Sequence, residues 1–540
     1  MKGPKRIDLK PEEMDALLER VKAGSLKDGD YEIIKGMADT IRILSQAVDE
    51  KTSSIKRLLK MLFGATTEKA KNVLKDSDKE KDSDKSKTSS GKSEDDPKDK
   101  EDKPDKKIKG HGRNGAADYT GAGKVSVPNN DLKSADPCPH CLKGKVYKMS
   151  IPKVVVRIVG NAPLAAKVYE LEKLRCNLCG EIFTAKAPEN IGDEKYDETA
   201  GTMIALLKYG SGFPFNRLEG LQGSLGIPLA ASTQWDIVER TGDRIHPVFR
   251  ELIRQGAQGE VIYNDDTTMK ILALMKENDE DESSRKGMFT TGILSTINGR
   301  KIALFFTGRN HAGENMADLL EQRQSGLSPP IQMCDALSRN IPKDFLIILA
   351  NCLAHGRRKF VDVAWNFPEE CQYVIETLGQ VYKNDEIAKD QNMSPAERLV
   401  FHQTESGPLM EQLNIWLDKQ LDQNKVEPNS GLGQAISYML KHWEPLTLFL
   451  RVPNAPLDNN ICEQALKKAI LHRKNALFYK TEHGAYIGDM FMSLIHTCNL
   501  AGVNPFDYIT DLQKHSSAVF KNPRNWMPWN YTSMVPSETQ

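Results

Sequence analysis

Long apolar runs are missing from this 540-residue chain. No stretch reaches the roughly 18 to 20 apolar residues that a membrane-spanning helix needs, so no membrane partner is expected. The N-terminal MKGPKRIDLKPEEMD has no apolar core, which speaks against a secretory signal. Net charge is missing too: 74 basic residues face 74 acidic ones, a formal charge of +0. The global balance therefore gives no sign of a nucleic-acid binder, and any DNA surface must come from local basic clusters. Disulfide frameworks usually need an even set of cysteines. This chain has nine, four of them in two Cys-x-x-Cys pairs. That usage points to a reducing, cytoplasmic setting and to metal ligation.

The stretch from Lys75 to Lys107 contains no aliphatic or aromatic side chain at all. Such a segment cannot bury enough surface to offset its ordering entropy, so residues 75–109 are predicted to be a disordered charged linker. A helical region, 1–74, precedes it. Taking Ile34 as heptad position a, the a series runs Ile34, Ile41, Val48, Ile55, Leu62, and the d series Met37, Leu44, Lys51, Leu58. One break in four heptads predicts a coiled coil, with β-branched a positions favouring two strands and hence a homodimer or higher oligomer. An amphipathic helix packed on its own domain is the plainer alternative.

Residues 110–190 hold Cys138-Pro-His-Cys141 and Cys176-Asn-Leu-Cys179. Each short loop presents two sulfurs to one tetrahedral ion, and the intervening sequence is strand-like. The expectation is a zinc ribbon with a closed, structural Zn²⁺ on Cys138, Cys141, Cys176 and Cys179. His140 is a poorer ligand by spacing. Residues 191–256 are helical. There Leu218, Leu221 and Leu225 form an apolar stripe, Gly226 and Pro228 break it, and Ser232 is placed to cap a second helix. This is either a helix-turn-helix-like DNA-binding region or an ordinary helical pair.

The alternating stretch GEVIYNDDTTMKILAL reads as a strand. FTTGILSTINGRKIALFFTGR reads as two strands turning at Asn298-Gly299. A helix near 314–323, the short strand of IQMCDAL and the buried strand FLIILA follow. That order suits a mixed sheet of the ribonuclease H-like kind. It assigns 257–357 and 456–515 to a catalytic domain, 358–455 to an α-helical insertion, and 516–540 to a tail whose NWMPWNY docks on the body. Ser394-Pro395-Ala396-Glu397 is a capping box inside the insertion.

Three carboxylates stand out by context. Asp265 shares the parity of Val261 and Tyr263. Asp335 shares that of Ile331 and Met333. Glu463 lies early in a helix that Asp458 is placed to cap. Two carboxylates about 4 Å apart repel by roughly 4 kcal/mol at an effective dielectric of 20. A cluster of three therefore calls for cations. Two divalent ions about 4 Å apart would neutralise it and clamp an in-line phosphoryl transfer. Oxygen ligands favour Mg²⁺ or Mn²⁺.

From near residue 30 onward the chain resembles transposases of the insertion sequence 66 family. FGATTEK, the CPHC and CNLCG pairs, YNDDTT, MCDAL, NCLAHGRRKF, LDNNICEQALKKAILHRKNALF and PWNY carry the likeness. The resemblance implies catalytic, metal-binding roles for Asp265, Asp335 and Glu463. Departures are modest: Asp266 stands where Glu is usual, Thr268 where Pro is usual, and Ala336-Leu337 where Gly-Tyr is usual. Cys352 and His355 match the family's Cys-x-x-His pair and read either as packing residues or as an auxiliary pair positioning the site. Arg357, Arg358, Lys359, Lys467, Lys468, Arg473 and Lys474 are candidates for contact with DNA phosphates. The resemblance further implies binding of double-stranded DNA at terminal inverted repeats and in a target. Strand cleavage, strand transfer and small accessory proteins follow from it as well. A ribonuclease H-like nuclease and a transposon-derived zinc-ribbon DNA-binding protein without catalysis are the alternatives.

Overall fold

The computed structural model describes residues 194–280 and 285–535, with shorter stretches between 126 and 188 and a few positions between 17 and 35. The heptads beyond Ile34, the charged linker, Cys176 and Cys179 lie outside the described residues. The described chain forms two units. One holds Arg250–Ile470 and Phe478–Asp489. The other holds the described residues from 126 to 249, Leu471–Leu477, and 490 to 535.

The first unit is built on a mixed five-stranded sheet. Its strands are β1 (Val261–Thr268), β2 (Phe289–Ile297), β3 (Arg300–Gly308), β4 (Ile331–Cys334) and β5 (Ile348–Asn351). They lie in the order β3-β2-β1-β4-β5. The β1–β2 and β2–β3 pairs are antiparallel, whereas β1–β4 and β4–β5 are parallel. This is the mixed α/β organisation expected from the sequence. The β2–β3 turn is the anticipated two-residue one: Ile297 pairs with Arg300, and Asn298 and Gly299 take φ of 48° and 74°. Only a left-handed pair of this kind follows the twist of the flanking strands, and Asn-Gly adopts it at least cost.

Two elements differ from expectation. β1 stops at Thr268, and the ILAL segment joins helix α1 (Leu272–Glu280). LALMKEN is rich in strong helix formers, so local propensity overrides the apparent alternation. Helix α2 (Ala312–Leu320) starts earlier than predicted, because Glu314 reaches back 2.7 Å to the N–H of His311 and closes a capping box.

Helices α3 (Leu353–Val363), α4 (Pro368–Asp390), α5 (Pro395–Glu405), α6 (Gly407–Asp422) and α7 (Gly431–Lys441) follow β5. The capping box at Ser394 is present, with Ser394 Oγ accepting from Glu397 N at 3.3 Å. These helices share one core with the sheet. Val261, Met333 and Ala350 pack into it with Phe360, Val374, Leu413 and Ile436, all buried. Each such large side chain contributes about 1.5–3 kcal/mol relative to exposure. Helices α8 (Asn460–Ala476) and α9 (Glu482–Leu500) complete the labelled elements.

The other sheet face lies against α2. Gly313 is required there, since a Cβ would sit 2.5 Å from Ile341 O and 2.6 Å from Arg339 O. Strand parity thus divides β1: Val261, Tyr263 and Asp265 face one way, Ile262, Asn264 and Asp266 the other.

In the second unit, helix Phe215–Ser224 and the helix starting at Ala231 are joined through Gly226, which has φ of 74°. Gln234 ties the pair together by donating to the carbonyls of Phe215 and Leu229. The expected stripe is only partly used. Leu218 is buried, but Leu221 and Leu225 are 40% and 48% exposed. Ser232 lies inside the second helix and not at its cap, because the helix already begins at Ala231. The aromatic tail is docked: Trp526 and Tyr531 are buried, and Tyr508 Oη donates to Trp526 O at 2.7 Å.

Candidate active site

The fork between β1 and β4 creates the site. Parallel pairing ends at Tyr263 and Met333, whereas β1 continues beside β2 to Thr268. Asp265 therefore projects just beyond the last parallel pair. Asp335 follows directly after β4. In open sheets, the crevice beyond the carboxyl ends of parallel strands is where ligands bind. Glu463 comes from the first turn of α8. That helix begins one residue later than a cap at Asp458 implies: Asn459 immediately precedes it, and its carbonyl accepts from Cys462 and Glu463 at 3.0 and 3.1 Å. Cys462 and Leu466 set the helix on the sheet. The Cys462 thiol donates to Gly292 O at 3.3 Å, and Leu466 packs over Gly292 where a Cβ would sit 3.0 Å away.

His355 stands between two of the carboxylates. Its Nδ1 is 2.8 Å from Asp335 Oδ1, and its Nε2 is 3.8 Å from Glu463 Oε1. The first is an ion-pair distance, yet Asp335 Oδ1, His355 Nδ1 and Glu463 Oε1 are all buried atoms without an aligned hydrogen bond. The Asp335 carboxylate, and after it Cys352, holds the His355 imidazolium well above its ordinary range, at about 10. Asp265 is perturbed in the opposite sense to a paired acid. Burial, and then the Asp335 charge, push its carboxyl up to about 7. One of its oxygens accepts from Asp266 N at 2.8 Å.

These features fit a divalent cation. The carboxylate oxygens are hard donors, and Asp335 Oδ1 and Glu463 Oε1 are already dehydrated, with no aligned hydrogen bond on either. The destabilisation of the Asp265 carboxylate, by burial and then by the Asp335 charge, is what a bound cation offsets.

Asp266, one residue along, belongs to a different environment. Its Oδ2 lies 3.1 Å from His311 Nδ1, and its Oδ1 accepts from Arg339 Nη2 at 3.2 Å. Both partners lie over the Phe289 ring. Its oxygens are thus already engaged, on the α2 face. Nothing in the local pattern flags this cage, because His311 and Arg339 come from distant loops.

A second group that sequence reasoning missed is a buried amide cluster behind the site. Asn264 Nδ2 donates to Ala312 O and Asn340 O, and Gln332 Nε2 donates to Asn264 Oδ1. Asn459 reaches furthest. Its Nδ2 donates to Asn264 O at 3.1 Å, and its N–H donates to Cys352 Sγ at 3.3 Å. It thereby ties the strand of Asp265 and the Cys352–His355 turn to the start of the Glu463 helix. The signal was a polar residue four positions before Glu463, on the face that packs inward.

The proposed DNA contacts fall on two helices. Arg357, Arg358 and Lys359 lie on α3, with Arg358 Nη1 3.4 Å from His355 Nε2 and Lys359 Nζ 4.4 Å from the Tyr438 ring. Lys467 and Lys468 are exposed on α8, and Arg473 and Lys474 lie in its last turn. Of the four cysteines expected to form a zinc ribbon, Cys138 and Cys141 are described. Cys138 N donates to Gly144 O at 2.7 Å, and Gly144 N donates to Cys141 Sγ at 3.4 Å. Backbone N–H groups of Lys143 and Gly144 lower the Cys141 thiol from its ordinary value. A short antiparallel hairpin, Lys173–Arg175 with Ile182–Thr184, flanks the second pair.

Among known proteins, three uncharacterized proteins of Sinorhizobium fredii are similar. With y4jD the identity is 34% over 189 residues, covering 34% of this chain and 36% of that protein. With y4hP it is 26% over 408 residues, covering 69% of each. With y4qI it is 25% over 346 residues, covering 61% of each. This chain therefore spans only about a third of the first relative's length. No solved structure matches. The family described as "Transposase IS66 family" matches residues 195–487. That span is more than half of the chain and takes in every strand of the mixed sheet, so the chain belongs to the IS66 transposase family.

Proposed function

We propose that the chain is a DNA transposase with a ribonuclease H-like catalytic domain, in which Asp265, Asp335 and Glu463 hold two Mg²⁺ or Mn²⁺ ions. The observation that carries this reading is the meeting of Asp335 and Glu463 on opposite nitrogens of His355, with Asp265 destabilised by Asp335. Bound divalent ions supply an activated oxygen nucleophile and stabilise the departing oxygen in phosphoryl transfer. The protein's share is placement. Asp265 and Asp335 are fixed by strand ends. Glu463 is fixed by a helix seated on β2, and His355 orients Asp335 and Glu463 against each other. Arg357, Arg358, Lys359, Lys467, Lys468, Arg473 and Lys474 contact backbone phosphates of the element ends and the target, a role that fixes register without reading sequence.

Around this centre, the zinc ribbon of Cys138, Cys141, Cys176 and Cys179 and the helical pair at 215–256 supply binding to the terminal inverted repeats. The N-terminal heptads bring two or more chains together. Small accessory proteins join the assembly, which works on chromosomal DNA in the cytoplasm. No helix among the described residues is long and apolar enough to cross a membrane.

The test is strand cleavage and joining on DNA carrying the element's ends, with Mg²⁺. Asp335→Asn and Glu463→Gln keep the side-chain shape but remove charge where the cation binds. Each is expected to lower the rate by at least about 10³-fold while leaving DNA binding intact. Wild-type rates in both variants overturn the reading. Products that are cut and never joined leave a nuclease in its place.

A further inference from the structure

The oxygen triad is not the whole set of metal-binding atoms at this centre. Cys352 and His355 stand at the start of α3, one turn apart, so the Cys-x-x-His spacing turns both toward the same side. The ligand atoms of Asp335, Cys352 and His355 all lie within 4.8 Å of one another. Asp335 Oδ1 and His355 Nδ1 are buried and face each other at 2.8 Å, with no aligned hydrogen bond to any third group. The Cys352 sulfur is fully buried and fixed in direction by the N–H of Asn459. One oxygen, one nitrogen and one sulfur are thus dehydrated and converging, and the oxygen and nitrogen engage only each other.

We propose that Asp335, Cys352 and His355 form a second metal site, selective for Zn²⁺, that shares Asp335 with the oxygen triad. Ligand chemistry makes the distinction. Thiolate and imidazole favour zinc, whereas a set of carboxylates favours Mg²⁺ or Mn²⁺. Three protein ligands with a fourth position left to solvent are a common zinc arrangement. The ion displaces one proton from the Cys352 thiol and one from the His355 imidazolium, and both leave to solvent. A Zn²⁺ held on Asp335 competes with the triad for the charge of that carboxylate. Zinc here therefore withdraws a carboxylate from the triad and switches strand cleavage off. The site stands on the three ligand atoms alone. Only the inhibition rests on the catalytic reading of Asp335.

The experiment uses the full chain, with the ribbon cysteines first filled with zinc. Further Zn²⁺ is then titrated by equilibrium dialysis. Co²⁺ is used in parallel, for its sulfur-to-cobalt absorption. The unaltered protein is expected to take up about one further ion per chain. Cys352→Ser and His355→Ala are expected to bind that ion at least about tenfold more weakly. In Cys352→Ser the added sulfur-to-cobalt absorption is also lost. His355 is partly exposed, so its variant guards against a loss caused by misfolding at the buried cysteine. Equal uptake by the unaltered protein and both variants overturns the proposal. Uptake without any sulfur-to-cobalt absorption does so too. If Asp335→Asn keeps full cleavage while the unaltered protein takes up the Cys352-dependent ion, the metal site stands and the catalytic reading of Asp335 falls.

Discussion

Two neighbouring aspartates show how much a single residue step decides. Asp265 and Asp266 are both acidic, both in one motif, and equally plausible as ligands by composition. Strand parity sends them to opposite faces of β1. Asp265 meets Asp335 and is pushed up to about 7. Asp266 meets His311 and Arg339. The parity was legible in the sequence. The cage around Asp266 was not, since loops far away in the chain build it. Asn459 was equally hidden, because amides bond in ways that no spacing announces. Its replacement tests its role as a positioning residue. Asn459→Ala removes the link to Asn264 O and is expected to cost about 1–3 kcal/mol of stability. Cleavage should slow by about 10²-fold through displacement of Glu463, with the Mg²⁺ requirement moving to higher concentration. Unchanged rate and unchanged Mg²⁺ dependence would show that Asn459 merely fills space.

At the scale of elements, the sheet was the more readable half. Alternation, the Asn-Gly turn and the short apolar strands mark β2 to β5 directly. The helices after β5 were visible as helices but not as a network. Asp385 on α4 is buried and engages Arg398 and His402 of α5 and Lys389 of its own helix. Arg398 also donates to Ala455 O at 2.8 Å, close to the start of the Glu463 helix. His402 and Ser406 extend the set, with Nδ1 and Oγ 3.0 Å apart. An aspartate, a histidine and a serine in line resemble a hydrolytic triad, but His402 and Ser406 are wholly buried, and no substrate reaches them. The set is structural. Burial opposes ionisation of Asp385, yet His402, Lys389 and Arg398 outweigh it and hold the carboxyl well below the usual range. A depressed carboxyl stabilises the fold above its unfolded value near 4, and that contribution is lost as pH falls below it. Asp385→Asn should therefore destabilise the protein by about 3–5 kcal/mol at neutral pH. The difference from the unaltered protein should shrink in acid-unfolding measurements from about pH 4 downward. A difference independent of pH would assign the loss to packing.

For the whole molecule, charge balance constrains how the proposed DNA recognition can work. With 74 charges of each sign, the chain has no net positive field to draw DNA from a distance. The proposed binding therefore rests on the local clusters of α3 and α8, whose phosphate contacts would release counterions. If six or more of the seven named basic residues engage, raising salt from about 50 to about 200 mM should weaken binding by about 10³-fold. A fluorescence anisotropy titration reads this directly. A flat response would remove these residues from the interface. What the sequence left dark at this scale has a physical cause. The heptads and the second cysteine pair read as needing partners, another chain and a metal ion, which spacing alone can suggest but not supply.

The opposed aspartates of β1 also bear on how such an enzyme can change over time. A second acid beside a proposed metal ligand looks like insurance, yet Asp266 offers none. To bring it into Asp265's place the strand would have to slip by one residue. That slip would turn Tyr263 and Val261 out of the helical core and unseat the pairing with Phe289–Ile297 along its length. If Asp265 is the metal ligand proposed above, its loss leaves no neighbouring acid on the same face of β1 from which the site could be rebuilt.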